Sequence, residues 1–276
     1  MMRGKKGSNK RGIPRIFLKN SRGQVTIFII IAVLIIALGV LVYMFYPKIF
    51  SGAETETKNP SAFIQECMEE KIQDTVEIVS LQGGSVNPTF YYDYYDNDEN
   101  KLYIVEYLCY TNQYYQLCIV QQPMLIQQLQ SEIEKEIQSD SEACFNSMKK
   151  SYENKGYGVD LEKGVTEVRI EPGKIIVDYN GKLILTKGEV QVYQNFEMEM
   201  NSNLYKMLNI ATGIIYWETT QGDAPTDTFM DLYDLKIEKQ PQIDGTKVYI
   251  ISEFGDGKDK FQFASRSLVR PQGIEL

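Results

Sequence analysis

The stretch that decides how this chain is organised runs from Val25 to Tyr46 and reads VTIFIIIAVLIIALGVLVYMFY. It contains no charged residue, and 15 of its 22 residues are Ile, Leu, Val or Phe. As a helix it would extend roughly 33 Å, against about 30 Å for the hydrocarbon core of a bilayer. A helix in a soluble protein usually keeps a polar face, and this run has none. The sequence therefore predicts a transmembrane helix over residues 25–46 that contacts the lipid bilayer.

The charges on either side of this run predict its orientation. Residues 1–24 hold eight of the 29 basic residues and none of the 37 acidic ones, so the rest of the chain carries a net charge of −16. The positive-inside rule then places the N-terminus in the cytoplasm. Pro47, Gly52 and the polar stretch TETKNP indicate a linker after the run. We expect a basic cytoplasmic leader at 1–24, a single pass through the cell membrane at 25–46, a linker at 47–59 and an extracellular domain at 60–276.

Three residues directly before the apolar run, Arg22, Gly23 and Gln24, form a candidate processing site. A basic residue and Gly before an apolar helix, with Gln after the Gly, resemble the class III signal peptide of archaeal type IV pilins and archaellins. The resemblance implies that a prepilin peptidase cuts after Gly23 on the cytoplasmic side and that the apolar helix is kept. It also implies partners at the cell surface, through self-assembly or association with other surface proteins.

Two features separate this chain from filament-forming pilins. Phe28 stands where bacterial pilins usually carry Glu. Pro47 follows the apolar run at once, whereas a filament-forming pilin continues its first helix, and proline inside a helix costs about 3 kcal/mol. The sequence therefore favours a tethered domain over a filament subunit. A secretory signal cut after Ala53 is another alternative, which the length of the apolar run disfavours.

The residues after Pro60 alternate between helical and strand-like periodicity. This predicts an α+β fold, in which a single N-terminal transmembrane helix precedes an ectodomain of helices and antiparallel strands. Asn59 and Pro60 are typical of a helix start, and Gly83-Gly84 of its end. Further helices are expected from Pro123, loosening at residues 139–141, and from Asn201 or Ser202, before a loop reading QGDAPTD. The expected strands are 89–95, 102–110, 115–120, several between 165 and 200, 232–237, 247–254 and 260–268, with turns at Pro172-Gly173, Asn180-Gly181 and Gly255-Asp256-Gly257.

The order of these features resembles that of a group of uncharacterised archaeal membrane-anchored surface proteins. The shared layout covers most of the chain. It comprises the RGQ leader, the apolar run, a helix with an early Cys and a terminal Gly-Gly, a Pro-initiated helix ending near another Cys, and a last strand reading FQFASRS. The resemblance implies an archaeal cell-surface location and no known activity.

Four cysteines follow the apolar run, and four cysteines outside the cell fit two disulfides. Three pairings are open. Cys109 and Cys118 lie on neighbouring strand-like runs and could bridge locally. Cys67 and Cys144 lie on the apolar faces of two helices and could join them. Four buried free thiols are the alternative. The chain has no CxxC spacing, so we expect no metal site.

Nine of the 19 tyrosines fall between residues 91 and 115. Because adjacent side chains in a strand point to opposite faces, some of these rings must point outward and could form a contact surface for protein or glycan. The alternative, which the sequence favours, is that the rings cover a small sheet. The candidates for the contact surface are Tyr91, Tyr92, Tyr94, Tyr95, Tyr114 and Tyr115.

The composition excludes several classes of enzyme. The chain has no histidine, which excludes Ser-His-Asp triads, Cys-His pairs and histidine-bound zinc or haem. It has no P-loop, GxSxG or GxGxxG motif, and its acidic body would repel nucleic-acid phosphates. Asp96, Asp98, Glu99 and Asn100 lack the downstream Gly and Glu of a calcium loop and indicate a solvated turn. We expect no cofactor.

Two functions remain. The first is a membrane-anchored extracellular structural or binding protein without a catalytic site, and the second is a membrane-anchored extracellular hydrolase that uses paired carboxylates. No spacing in the sequence pairs any two carboxylates, so the first function is favoured. A pocket lined by two close carboxylates with shifted pKa values would support the hydrolase. An exposed tyrosine surface would support binding.

Overall fold

The computed structural model describes residues 29–38, 59–255 and 259–271. The chain divides into two units, Met1–Thr57 and Lys58–Leu276. In the first unit, residues 29–38 form helix α1, whose side chains are exposed. Within the ranges given above, no helix is both long enough and apolar enough to cross a membrane. The rest of the predicted span 25–46, the leader with Arg22, Gly23 and Gln24, and the predicted linker up to residue 58 lie outside the described residues.

The helices of the second unit supply much of its core. Asn59 accepts a hydrogen bond from the backbone N–H of Ser61 at 3.3 Å, and Pro60 takes the first position, so the predicted start of the first of these helices is confirmed. A disulfide between Cys67 and Cys144 joins the first two. The helices are α2 (Pro60–Leu81), α3 (Leu125–Asn154), α4 (Leu204–Thr220) and α5 (Thr226–Tyr233).

A six-stranded sheet has the order β1-β2-β10-β9-β8, with β3 also paired to β2. Its strands are β1 (Tyr91–Asp96), β2 (Lys101–Tyr110), β3 (Ile119–Val120), β8 (Lys236–Pro241), β9 (Lys247–Ser252) and β10 (Lys260–Arg266). The β2–β10 pair is parallel, so the expectation of antiparallel strands is wrong at this pair. The reason is topological, because helices α3 and α4 separate these two strands in sequence and provide the long crossover that a parallel pair needs.

Both faces of the six-stranded sheet contribute buried residues. One face adds Tyr249, Phe261 and Phe263 to the main core, which also takes residues from α2, α3 and α4. The other face carries a second cluster, and the sheet curls so that β1 meets the opposite edge. Tyr92 on β1 donates a hydrogen bond to Gln242, the residue after β8, at 3.3 Å. The second cluster consists of Tyr94, Tyr103, Val105, Tyr107, Val248, Ile250 and Ala264.

A four-stranded antiparallel sheet packs against α3. Its strands are β4 (Gly158–Glu162), β5 (Thr166–Glu171), β6 (Lys174–Lys187) and β7 (Glu189–Asn201). β4 and β5 pair with the two halves of β6, and β7 pairs along its whole length. The turn expected at Asn180-Gly181 is wrong, because these residues form a bulge inside β6. A Cβ at Gly181 would lie 2.5 Å from the Tyr179 ring and 2.9 Å from that of Phe145, so the ring packing requires glycine.

Other differences from the sequence prediction have local causes. α3 runs through residues 139–141 without a break. The Ser141 hydroxyl donates a hydrogen bond to the carbonyl of Ile137 at 3.0 Å, so this buried hydroxyl has a partner within the helix. α3 begins two residues after Pro123. α5 occupies residues assigned to the end of a loop and the start of a strand, because the half-buried Phe229 and Met230 anchor it on the core. The predicted strand 115–120 is reduced to β3, and residues 256 and 257 of the predicted last turn lie outside the described residues.

Candidate functional site

An open cleft of about 1070 Å³ lies in the second unit. It is lined by α2, by the starts of β2, β6, β10 and α4, and by the end of β7. Part of the lining is apolar and includes Ile72, Val76, Ile175, Val177 and Met198. The volume slightly exceeds the range of about 300–1,000 Å³ that is typical of small-molecule sites. The cleft therefore has room for several residues of a bound chain.

The polar lining of the cleft is acidic. It contains six carboxylates but two lysines, so its formal charge is strongly negative. Such a concave surface concentrates cations and repels anions. The charged residues are Glu69, Glu77, Glu99, Glu199, Glu253, Asp259, Lys101 and Lys260.

Helix α2 contributes the carboxylates that are available for a ligand. Gln65, Glu69, Gln73 and Glu77 recur every fourth residue, so they lie along one face of the helix and all four line the cleft. All four side chains are exposed. Neither Glu69 nor Glu77 takes part in a hydrogen bond or ion pair with any residue that the structure describes. These two carboxylates are therefore free to pair with cationic groups of a ligand.

The carboxylate contributed by the β1–β2 turn is already paired. Lys260 donates to one oxygen of Glu99 at 2.5 Å, and the hydroxyl of Tyr103 donates to the other. Both hydrogen bonds hold the pKa of Glu99 below its ordinary value, and the bond from Lys260 has the larger effect. Burial, followed by the bond to Glu99, raises the pKa of Tyr103. Lys101 lies over the ring of Tyr103, 4.7 Å from its centre, so this side of the cleft is internally neutralised.

Two further carboxylates hold the start of α4. The hydroxyl of Ser202 donates to Asp259 at 2.9 Å, and the backbone N–H of Asn203 donates to the same oxygen at 2.6 Å. The side-chain amide of Asn203 donates to Glu253. Ser202 also accepts a hydrogen bond from the backbone N–H of Leu204, but Asn203 holds the cap position, so the expectation that Asn201 or Ser202 caps this helix is wrong by one or two residues. Negative groups at a helix N-terminus stabilise the helix, which gives Asp259 a structural role.

The carboxylates with raised pKa values lie elsewhere. Burial raises the pKa of Glu106, which accepts a hydrogen bond from the Ser85 hydroxyl at 2.7 Å. Burial also raises the pKa of Glu218 at the end of α4, against the opposing effect of Lys247, whose ammonium lies 2.7 Å away. Tyr249 donates to the same oxygen of Glu218. Neither Glu106 nor Glu218 lines the cleft, so the cleft does not combine a raised-pKa carboxylate with a second carboxylate.

The structure separates the six candidate tyrosines. Four of them, Tyr91, Tyr95, Tyr114 and Tyr115, are 43–52% exposed. Tyr94 is buried, so the expectation that it is a surface contact is wrong, and Tyr92 is half-buried. Both point from β1 into the curled sheet, as strand alternation requires. The exposed rings lie on β1 and on the segment after β2.

The cysteines form the two disulfides Cys67–Cys144 and Cys109–Cys118. Within the described ranges, no group of three or more Cys, Asp or Glu side chains is arranged to hold a metal ion. Glu69 and Glu77 are not among the functional residues predicted from the sequence. The four-residue repeat of Gln and Glu on α2 is the signal that could have found them, but only the fold shows that this polar face borders a cleft.

Comparison with protein-family models, with curated proteins and with solved structures found no match to this chain.

Proposed function

We propose that this chain is a single-pass membrane-anchored protein of the archaeal cell surface whose extracellular domain binds a partner and is not an enzyme. The uncharged run at 25–46 and the basic leader support the anchor and its orientation. The two disulfides support an oxidising compartment, which the extracellular side provides. The resemblance of the leader to class III signal peptides supports the archaeal surface.

The main support for a binding role is the cleft, in which Glu69 and Glu77 are unpaired above an apolar lining. Unpaired carboxylates on a rigid helix favour ammonium or guanidinium groups, and the apolar residues beneath favour aliphatic side chains. A small inorganic cation would not use the apolar lining. The ligand that fits both is an extended segment of a partner protein in which basic and apolar residues alternate.

Hydrolysis is the weaker candidate for this cleft. Two of its carboxylates, Glu253 and Asp259, are committed to the start of α4, and Glu99 is committed to Lys260. A glycoside hydrolase needs one carboxylic acid that stays protonated beside a second carboxylate. The lowered pKa of Glu99 is the opposite of that requirement.

The test uses the full chain in lipid nanodiscs and a labelled peptide of alternating Lys and Val. We expect the peptide to bind and a peptide of alternating Glu and Val not to bind. The double substitution Glu69→Gln and Glu77→Gln should weaken binding about fivefold, since each exposed ion pair contributes roughly 0.5 kcal/mol. The matched control is Glu70→Gln with Asp74→Asn, which removes the same charge from α2 outside the cleft. Equal weakening by both pairs, or equal binding of both peptides, would refute the assignment.

The anchor and the processing site have a separate test. We would determine the N-terminal residue and the intact mass of the protein isolated from native membranes. A protein that starts at Gln24 would support prepilin-peptidase processing with the apolar helix retained. A protein that starts at Met1 or Met2 would support an uncleaved anchor and refute the processing site. A start at Glu54 would refute the anchor.

A further inference from the structure

The outer edge of β7 is unpaired over its first half. β6 takes β4 and β5 on one side and β7 on the other, so β7 is the edge strand of the four-stranded sheet. Its residues 190–195 read VQVYQN and carry no charge and no proline. No backbone bond joins this segment to any described strand except β6. Natural edge strands are usually blocked by a charge, a proline, a bulge or a covering element. The bulge of this sheet lies at the end of the segment, opposite Asn195 with its φ of 55°, and among the described residues 190–194 have none of these blocks.

The side chains of this edge present an apolar strip. Val190 is 65% exposed and Val192 is 53% exposed. Ile184 on β6 lies opposite Val192 and is half-buried on the same face. β-branched residues exposed beside an open edge favour the addition of another strand, which would cover both the backbone groups and the strip.

We propose that a second copy of this chain occupies the edge by antiparallel pairing of β7 with β7, around a two-fold axis at Val192. This register places Val192 beside Val192 of the other copy, Gln191 opposite Tyr193, and Val190 opposite Gln194. No charged residue then faces a charged residue, because Glu189 falls opposite Asn195 and Glu197 lies beyond the paired segment. Moving the axis by one residue to Tyr193 would set Glu189 against Glu197, which like-charge repulsion disfavours.

The charge of the chain favours this edge over other contact sites. The residues after the leader carry a net charge of −16, so two copies repel one another over most of their surfaces. An uncharged segment with unsatisfied backbone donors and acceptors is where two copies approach at least cost. The two-fold pairing uses the same edge of both copies, so the assembly closes as a dimer and does not grow into a fibre.

Cysteine substitution tests both the partner and the register. The described cysteines are all in disulfides, so a single new thiol reports on its own position. In the full chain, Val192→Cys should form an intermolecular disulfide, because Cα atoms directly opposite in an antiparallel pair lie about 4.5–5.5 Å apart and a disulfide needs about 4.4–6.8 Å. Val190→Cys should not, because the two thiols would be roughly 13 Å apart along the pair. Val165→Cys, which exposes a thiol on a different segment, measures random collision.

The oligomeric state in detergent, measured across a wide range of protein concentration, provides an independent readout. We expect a dimer whose dissociation constant rises more than about tenfold in Val192→Lys, because the two lysines would lie directly opposite each other. The proposal is overturned if Val192→Cys crosslinks no faster than Val165→Cys, if the protein stays monomeric, or if the dimer survives Val192→Lys. Failure of the peptide to bind the cleft would leave these outcomes unchanged, because β7 contributes different residues to the two surfaces.

Discussion

The two sheets of the domain place their charged groups in opposite surroundings. On the four-stranded sheet, Lys174 pairs with Glu199 at the border of the cleft, and the two side chains are 36% and 51% exposed to water. Behind the six-stranded sheet, Glu218 is fully buried, and the Lys247 side chain that pairs with it is 13% exposed. An ion pair in water gains little because solvent screens both charges. A buried pair has lost its hydration, so each member depends on the other. Ion pairs of similar geometry therefore contribute differently to stability because their surroundings differ.

The largest expected effect comes from breaking the buried pair. Lys247→Met leaves the Glu218 carboxylate buried without its cation and should lower the free energy of unfolding by about 3–5 kcal/mol. Lys174→Met, which breaks the exposed pair, should lower it by less than about 1 kcal/mol. The measurement is urea unfolding of the full chain with disulfides intact, followed by the fluorescence of Trp217, the single tryptophan.

A double substitution tests whether the loss of stability comes from the carboxylate that is left buried without its cation. Glu218→Leu combined with Lys247→Met removes both charges, and replacing a buried pair by apolar residues is often neutral or stabilising. The double variant should therefore recover most of the stability lost in Lys247→Met. Equal losses in Lys247→Met and Lys174→Met would show that burial does not set the difference between the two sheets.

The next effect tests how closely the four-stranded sheet is packed. A Cβ on Gly164 would lie 2.2 Å from the backbone carbon of Asn180, so Gly164→Ala must displace the bulge in β6. We expect a loss of about 1–3 kcal/mol from this overpacking. Gly158→Ala is the control in the same sheet, because its Cβ would meet nothing closer than 3.6 Å. The same unfolding measurement decides, and a neutral Gly164→Ala would mean that the bulge is free to move.

A smaller effect tests the second cluster of the six-stranded sheet. The hydroxyls of Tyr107 and Thr246 are buried and hydrogen-bonded to each other at 2.8 Å. Tyr107→Phe leaves the hydroxyl of Thr246 without this partner and should lower the free energy of unfolding by about 0.5–1.5 kcal/mol. Tyr114→Phe, on an exposed ring over which Arg266 lies, should change it little because the ring is kept. Equal losses in the free energy of unfolding for Tyr107→Phe and Tyr114→Phe would show that the buried hydroxyl of Tyr107 does not stabilise the curled sheet.

The smallest expected effect on the free energy of unfolding comes from two glutamates whose pKa values shift in opposite directions. Burial raises the pKa of Glu106 on β2, so its folded form holds its proton to higher pH than the unfolded chain does. The stability of the wild type relative to Glu106→Gln should therefore fall as pH rises from about 4.5 through the raised pKa. The hydrogen bond and charge of Lys163 lower the pKa of Glu142 on α3. Stability relative to Glu142→Gln should fall when pH drops below about 4.5.

Unfolding of the three proteins across pH 3–8 checks both signs. Each substitution removes one titrating group, so the differences from the wild type isolate that group from the other carboxylates. Parallel pH curves for Glu106→Gln and the wild type would show that Glu106 does not titrate differently in the folded state.

The elements that could be predicted from sequence are those with strong local signals. The α2 start follows from Asn59 and Pro60, and the β1–β2 hairpin follows from two strand-like runs around an Asp-rich turn. The two disulfides are Cys67–Cys144, between two helices, and Cys109–Cys118, between two strand-like runs, as their positions in the sequence favoured. α5 was missed because its eight residues carry few apolar side chains and are held by contacts with the core.

The amino-acid sequence by itself determined the α+β class and the alternation of helix and strand, because both depend on periodicity and capping within short segments. It also determined the asymmetry of charge that underlies the proposed orientation. Three properties follow from the packing of distant elements: Tyr94 is buried while Tyr95 is exposed, Asn180-Gly181 is a bulge, and Glu69 and Glu77 border a cleft. Those properties depend on which distant element packs against each residue, and no local pattern encodes that choice.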